Sequence, residues 1–413
     1  MTTLTDLLAQ LEAAVRAGDR ARAQALLRQA QQLLVQASHD LAAAERRVHA
    51  LQQALEQPTA AAAPDVKLRD VLGAERGIGI NSIKADHGTV FPVWFGTNRK
   101  PNGRGGFGSA RHDRTTRGRA DVYVPEGHRF GEIGTPFWKK LLRFDLRDDT
   151  LRLQQLSTLS HEAWLTEVRR TLHDAEAAGE PSHALVFIHG FNVDFEEAAI
   201  RAAQIGMDLA VPGATAFFSW PSRGNVVDYP VDEASIEASE QAITDFLVDF
   251  ATRCGAQKVH LIAHSMGNRG LLRALQRIAA NAQTRGQVKF GQIFLAAPDV
   301  DSDLFLNLAA LYAEHSERTT LYASDGDKPV HLSSKLHDAA RAGYFKPYTA
   351  APDIDTIAVP DFDLDMLGHS YFAQAEALLT HMRDLMLNGK ATVSANRLKP
   401  VMEDGLNFWK LKR

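Results

Sequence analysis

The string Val259-His260-Leu261-Ile262-Ala263-His264-Ser265-Met266-Gly267-Asn268 joins an apolar run to the start of a helical pattern. A serine at such a junction sits on a tight turn, with its hydroxyl lifted clear of the backbone and facing the amides of a helix N-terminus. Those amides favour negative charge, so the chemistry on offer is attack on a carbonyl with an oxyanion intermediate. Residues two before and two after the serine must be small for the backbones to pass. Ala263 and Gly267 meet that need, with alanine standing where glycine is more usual. His264, beside the serine, reads as a packing and hydrogen-bonding residue rather than a base.

An oxyanion needs donors, and a second string supplies them. Leu185-Val186-Phe187-Ile188-His189-Gly190-Phe191-Asn192 is a strand running into a loop, upstream of the serine by about two strand–helix units. The amide of Phe191 or Asn192 is one expected donor and that of Met266 the other; losing one such donor costs roughly 10²–10³ in rate. His189 reads as a brace for this loop. The base should follow the acid, and both should follow the serine. His369, in the loop after the last expected strand, is the candidate base. His315, His331, His337 and His381 fall in expected helices or helix starts. Asp327 is the candidate acid, with Asp325 two residues nearer its strand. Asp299 and Asp301 compete with it; their other role is to cap a helix at 302–308 and brace loops. Trp220 and Tyr229 either line the acyl or alcohol pocket or pack in the core. This chemistry requires no metal or organic cofactor.

These residues need a frame, and β-branched runs alternating with helical patterns from about residue 65 imply an α/β fold with a mainly parallel sheet. Strands are expected at 89–95, 120–125, 141–145, 184–188, 214–219, 258–263, 292–297, 319–323 and 355–359. Helices are expected near 194–210, 232–253, 267–281 and 371–387. The glycine-rich, basic stretch between the first two strands reads as a mobile surface loop, or alternatively as an anion-binding rim on the site.

Residues 1–57 differ in composition: rich in Ala, Leu, Gln, Arg and Glu, they suggest a helical hairpin broken at Gly18-Asp19. Leu27, Leu34, Leu41, Val48 and Leu55 recur every seven residues beside a seam of Ala23, Ala30, Ala37, Ala44 and Leu51, a coiled-coil pattern. Residues 20–57 are therefore a candidate for homo-oligomer or partner-helix packing, with docking on the same chain as the alternative. Residues 58–64 read as a linker, 65–390 as the catalytic domain and 391–413 as a C-terminal tail. Forty-six basic and 50 acidic residues give a net charge of −4, which favours neither nucleic acid nor anionic membrane. No apolar run is long enough to span a bilayer and no secretory signal is evident. With one cysteine, Cys254, no internal disulfide can form, which fits the cytoplasm.

Six strings together resemble a bacterial α/β-hydrolase family long labelled DUF900: 90–101, 186–205, 217–224, 260–269, 294–301 and 367–372, in that order. The resemblance spans about residues 85 to 388 and leaves the heptad helix outside. It implies an α/β-hydrolase fold and an esterase- or lipase-like activity, with Ser265, Asp327 and His369 at the triad positions. The segment Ser324-Asp325-Gly326-Asp327-Lys328-Pro329-Val330 departs from the Ser-x-x-Asp-x-Ala-Leu pattern associated with the acid. The expected reaction is hydrolysis of a carboxylic ester through an acyl-enzyme. Thioesterase, phospholipase or amidase action with the same triad is the alternative within enzymes. A non-catalytic scaffold that binds a partner through its N-terminal helices is the alternative outside them.

Overall fold

A computed structural model of the chain describes residues 83–85, 88–126, 151–223, 228–324, 339–344, 348–359, 372–389 and 398–411. All belong to the larger of two units, Gly73–Arg413. The heptad helices, the linker, the strand expected at 141–145, and Asp325, Asp327, His331, His337 and His369 lie outside the described residues.

In chain order the elements are β1 (Ile83–Ala85), β2 (Gly88–Pro101), β3 (Phe107–Pro125), β4 (Arg152–Leu159), α1 (His161–Ala177), β5 (His183–Ile188), α2 (Phe195–Asp208) and β6 (Gly213–Ser219). Next come α3 (Tyr229–Glu237), α4 (Glu240–Thr252), β7 (Lys258–His264), α5 (Gly267–Ala280), β8 (Phe290–Ala296), α6 (Ser302–Leu308) and α7 (Ala310–His315). The chain continues through β9 (Ser316–Ala323), β10 (Ile354–Ala358), α8 (Phe372–Asn388), β11 (Leu398–Glu403) and β12 (Leu406–Leu411).

One sheet runs β11-β12-β10-β9-β8-β7-β5-β6-β2-β3-β4, with β1 also paired to β2. From β12 across to β2 every neighbouring pair is parallel. A parallel sheet covered on both faces demands strands that are apolar throughout, and β5, β6 and β8 are buried at every residue. Alternate residues serve opposite faces. Ala184, Val186 and Ile188 of β5 join the core under α1, α4 and α5, while Leu185 and Phe187 join the core under α2 and α8.

The strand order fixes where a site can form. From β5 the chain steps through α2 to β6, then crosses back over β5 to reach β7. Helix α2 therefore packs on one face and α5 on the other. The connections leaving β5 and β7 part company there, and the crevice at such a switch point is where open α/β sheets hold ligands.

Several elements differ from expectation. The basic stretch between the first two expected strands forms the far part of a bulged β2–β3 ribbon and not a loop, with Arg99 opposite Arg111 and Pro101 opposite Phe107. Side-chain anchors explain this. Phe107 packs against Phe95 and Phe195, and Arg99 is buried to 1% exposure. The expected helix at 232–253 is two helices, α3 and α4. Residues 391–413, expected as a tail, include the β11–β12 hairpin. Its Asp404-Gly405 turn has both φ values positive, as a two-residue hairpin requires, and β12 pairs with β10.

Candidate active site

Ser265 stands between the end of β7 and the start of α5, with φ at +46°, the left-handed region that costs a non-glycine residue about 1–3 kcal/mol. The surrounding contacts hold it there. Its amide donates to Ala296 O at 2.9 Å, and its carbonyl accepts from the amides of Asn268 at 3.1 Å and Asp299 at 3.2 Å. The buried Asn268 side chain donates to the carbonyls of Ala263 and Ser265, both at 3.0 Å, and so ties the turn across its own mouth. Two glycines show how tight the site is. A Cβ on Gly267 would lie 2.6 Å from His189 O and 2.7 Å from Ile188 O; one on Gly190 would lie 3.0 Å from Ser265 Cβ. The loop after β5 therefore rests directly on the serine turn.

That loop is pinned by polar contacts. Trp220 Nε1 donates to His189 O at 2.8 Å, and its ring stacks on the His189 imidazole. His189 Nδ1 lies 2.8 Å from Gly190 O and Nε2 lies 3.2 Å from Ser219 Oγ. Burial pushes His189 down to about 3, with the Arg99 charge acting in the same direction, so the ring is neutral. Arg99 donates to Ser219 Oγ at 2.8 Å, Val193 O at 2.7 Å and Ser222 O at 2.9 Å. Burial lowers this guanidinium to about 10 against the pull of Asp194, Asp232 and Glu197. Asp232 accepts from Ser222 Oγ at 2.6 Å and from Arg223 N, and the Asn192 amide also bonds it. Burial nevertheless raises that carboxyl above its ordinary range. Asn192, at φ +59°, makes the turn into the capping box of Asp194 and Glu197 that opens α2.

On the other side of the serine, Asp299 is 1% exposed and surrounded by donors. Tyr229 OH donates to its carboxylate, Arg269 reaches both its carbonyl at 2.6 Å and its Oδ1 at 3.3 Å, and Arg341 Nε lies 3.6 Å from Oδ1. Arg269 is also paired with Glu233. Asp301 caps α6, its side chain accepting from the amides of Asp303 and Leu304 at 3.0 Å. Trp220 and Tyr229 are both buried and engaged in scaffold contacts; Tyr229 also packs edge-on against Phe191. Met266 is buried at the first turn of α5. His315 and His381 sit in the core, bonded to Val288 O and Tyr322 OH.

β9 and β10 run parallel to β7, so their C-terminal ends open on the same edge as Ser265. Segment 339–344 lies against the loop after β8 on that edge. Ala342 N donates to Val300 O, Gly343 N to Pro298 O, and Ser324 N to Gly343 O, each at 2.9 Å.

The family model described as alpha/beta hydrolase of unknown function (DUF900) matches residues 165–387. The chain belongs to this α/β-hydrolase family. Among curated proteins it is similar to the uncharacterized protein alr1448 of Nostoc sp., 27% identical over 125 residues, covering 24% of this chain and 33% of that one. The chain thus spans a third of the length of that relative. Among solved structures it is similar to an uncharacterized protein from Bacillus cereus, with 14% identity, 51% of this chain and 60% of that one covered, and a TM-score of 0.33. It is also similar to esterase B from Lactobacillus rhamnosis, with 12% identity, coverages of 74% and 89% and a TM-score of 0.33.

The reading of motifs missed the polar scaffold of this candidate site: Arg99, Ser219, Ser222, Asp232, Asn268 and Arg269. All of these but Asp232 fall inside the strings that carry the family resemblance, but only packing gives them a role. No cluster of three or more metal-ligating side chains occurs among the described residues, and no described helix is long and apolar enough to cross a membrane.

Proposed function

We propose that this hydrolase cleaves carboxylic esters with Ser265 as nucleophile, His369 as general base and Asp327 as the acid that orients it. The observation that carries the reading is Ser265 itself: a strained serine at the sheet's switch point, overlain by Gly190. Supporting it, the strands that precede Asp327 and His369 both end on the serine's edge of the sheet. The competing acids are otherwise employed. Asp299 is held by Tyr229, Arg269 and Arg341, and Asp301 caps a helix. Asp325 stays as the neighbouring alternative to Asp327.

The reaction is acyl transfer in two steps. His369 takes the Ser265 proton as the oxygen attacks the ester carbon, and the carbonyl oxygen becomes an oxyanion. The amides of Phe191 and Met266 hold that charge; the Asn192 amide, engaged with Asp232, is the weaker candidate. His369 then delivers its proton to the departing alcohol, and water, activated by the same histidine, releases the acid. Thioesters, amides and phospholipid esters fit the same steps. The heptad segment 20–57 serves assembly or partner binding in this scheme, and the cytoplasm is the proposed location.

Labelling with a fluorophosphonate, wild type beside Ser265→Ala and His369→Ala, tests the reading together with turnover of short and long p-nitrophenyl esters. The expected result is labelling and turnover by wild type alone. A folded wild type that neither labels nor turns over an ester would leave the non-catalytic scaffold as the better account.

A further inference from the structure

Arg99 presents an unusual arrangement for a buried charge. Its guanidinium is 1% exposed, yet the groups it bonds are neutral oxygens: Ser219 Oγ, Ser222 O, Val193 O and, at 3.4 Å, Gly108 O. Neutral acceptors recover less of the desolvation cost than a carboxylate would. A guanidinium only donates, so its directional demand is passed on. Ser219 Oγ accepts from Arg99 Nε and directs its own proton elsewhere; His189 Nε2 stands 3.2 Å away. If Nε2 accepts that proton, instead of donating to Ser219 Oγ or to the Trp220 backbone, the neutral ring carries its own proton on Nδ1, which faces Gly190 O at 2.8 Å. In a planar trans peptide the C=O and N–H point in opposite directions. Holding Gly190 O toward the imidazole therefore turns the Phe191 N–H away from it. Gly190 itself lies against Ser265.

We propose that Arg99, Ser219 and His189 form a positioning chain that fixes the histidine tautomer and thereby aims the Phe191 amide at the oxyanion. Val193 O, held by the same guanidinium, anchors the far end of the loop. None of the three residues touches the reacting atoms; each acts through the next. The inference rests on the proposed reading of Ser265 and Phe191.

Ser219→Ala is the primary test, because it removes one oxygen and leaves no void larger than that atom. The readouts are kcat and KM for p-nitrophenyl acetate, the inhibition constant of a trifluoromethyl ketone, and the imidazole and amide ¹⁵N resonances of the histidine-labelled and uniformly labelled protein. His189→Gln assigns the imidazole. Wild type should show His189 as the neutral Nδ1–H tautomer. In Ser219→Ala that preference should weaken and the Phe191 amide should shift. kcat should fall about tenfold, part of the loss expected for deleting a donor outright, with KM unchanged. The trifluoromethyl ketone, which forms an oxyanion on the serine, should weaken by the same factor. Arg99→Lys keeps the charge but not the fork, and its kcat should fall at least as far.

A folded Ser219→Ala protein with wild-type kcat, ketone inhibition and amide shift overturns the proposal, as does an Nε2–H tautomer in wild type. Failure of the hydrolase reading looks different: wild type would not label with fluorophosphonate at all. The tautomer and the Phe191 resonance would then still report on the chain, and their insensitivity to Ser219→Ala would overturn it.

Discussion

Gly267→Ala sets two effects of opposite sign against each other. At an unconstrained helix position, alanine in place of glycine stabilises by about 0.8–1 kcal/mol. Here the added Cβ would meet His189 O at 2.6 Å and Ile188 O at 2.7 Å, both backbone atoms of the strand and loop that overlie the serine turn. Ordinary contact begins near 3.4 Å, so the gap must open by about 0.8 Å. Overpacking of this kind costs about 1–3 kcal/mol, which exceeds the helix gain and leaves a net destabilisation of about 0–2 kcal/mol. The catalytic cost should be larger. A constellation of this type works within about 0.5 Å of its productive geometry, and a 1 Å misplacement can cost about 10² in rate. Displacing the Phe191 loop from Ser265 by the required amount should therefore lower kcat for p-nitrophenyl acetate about 10- to 100-fold. The melting temperature should fall by no more than about 5 °C. Steady-state kinetics with thermal unfolding on the same samples decides it. A Gly267→Ala variant that is stabilised and as active as wild type would refute the description of the loop as resting on the serine turn.

Asp327→Asn and Asp299→Asn should separate catalysis from structure. The first should cost about 10⁴ in kcat with an unchanged unfolding midpoint. The second, by removing the carboxylate that faces Arg341 and one of the two that face Arg269, should cost about 3–5 kcal/mol in a denaturant titration; the reverse pattern would make Asp299 the acid. Burial holds both His189 and His260 down to about 3, below the ordinary 6.5, so the unfolded chain takes up these protons first as pH falls. Each site thus contributes stability that is complete above about pH 6.5 and lost progressively toward pH 3, at up to about 1.4 kcal/mol per pH unit. Urea unfolding of wild type and His260→Gln at several pH values should show the variant's slope shallower by one such proton; equal slopes would contradict the burial. Cys254 is fully buried and its thiol is pushed up to about 12, so a disulfide reagent should react only on unfolding.

The parallel core was legible because runs such as Ala184–Ile188 are apolar on both faces and Ala214–Ser219 adds only small hydroxyls, and each became a buried strand. The serine turn was legible because small residues at fixed offsets are a steric requirement, written in Ala263 and Gly267 themselves. The β2–β3 ribbon was not. Glycine and arginine dominate its composition, and its order comes from Phe107 reaching Phe95 and Phe195, a contact no local window contains. The C-terminal hairpin carried an Asp-Gly signal, but its pairing with β10 is a long-range event. Asp299 was visible as a candidate acid from its sequence position; the arginines that bind it, from α5 and from residue 341, were not.

The polar scaffold also explains why the loop after β5 is not simply packed in place. Apolar contacts define distances but leave a peptide plane free to rotate, because dispersion has little directional preference. An oxyanion hole demands the opposite: a given N–H must point at a given spot before charge develops there. For the oxyanion hole proposed above, directional donors would supply that constraint, which is a physical reason for burying Arg99 and Trp220 Nε1 against carbonyls of the loop. The same logic holds across the serine, where Arg269 grips Asp299 O while the Asp299 amide grips Ser265 O. Arg99 also carries a desolvation cost that its neutral acceptors only partly offset. Replacing Arg99 by methionine can therefore leave the fold intact and still release the peptide plane, so that stability and rate part company at a residue remote from the bond being broken.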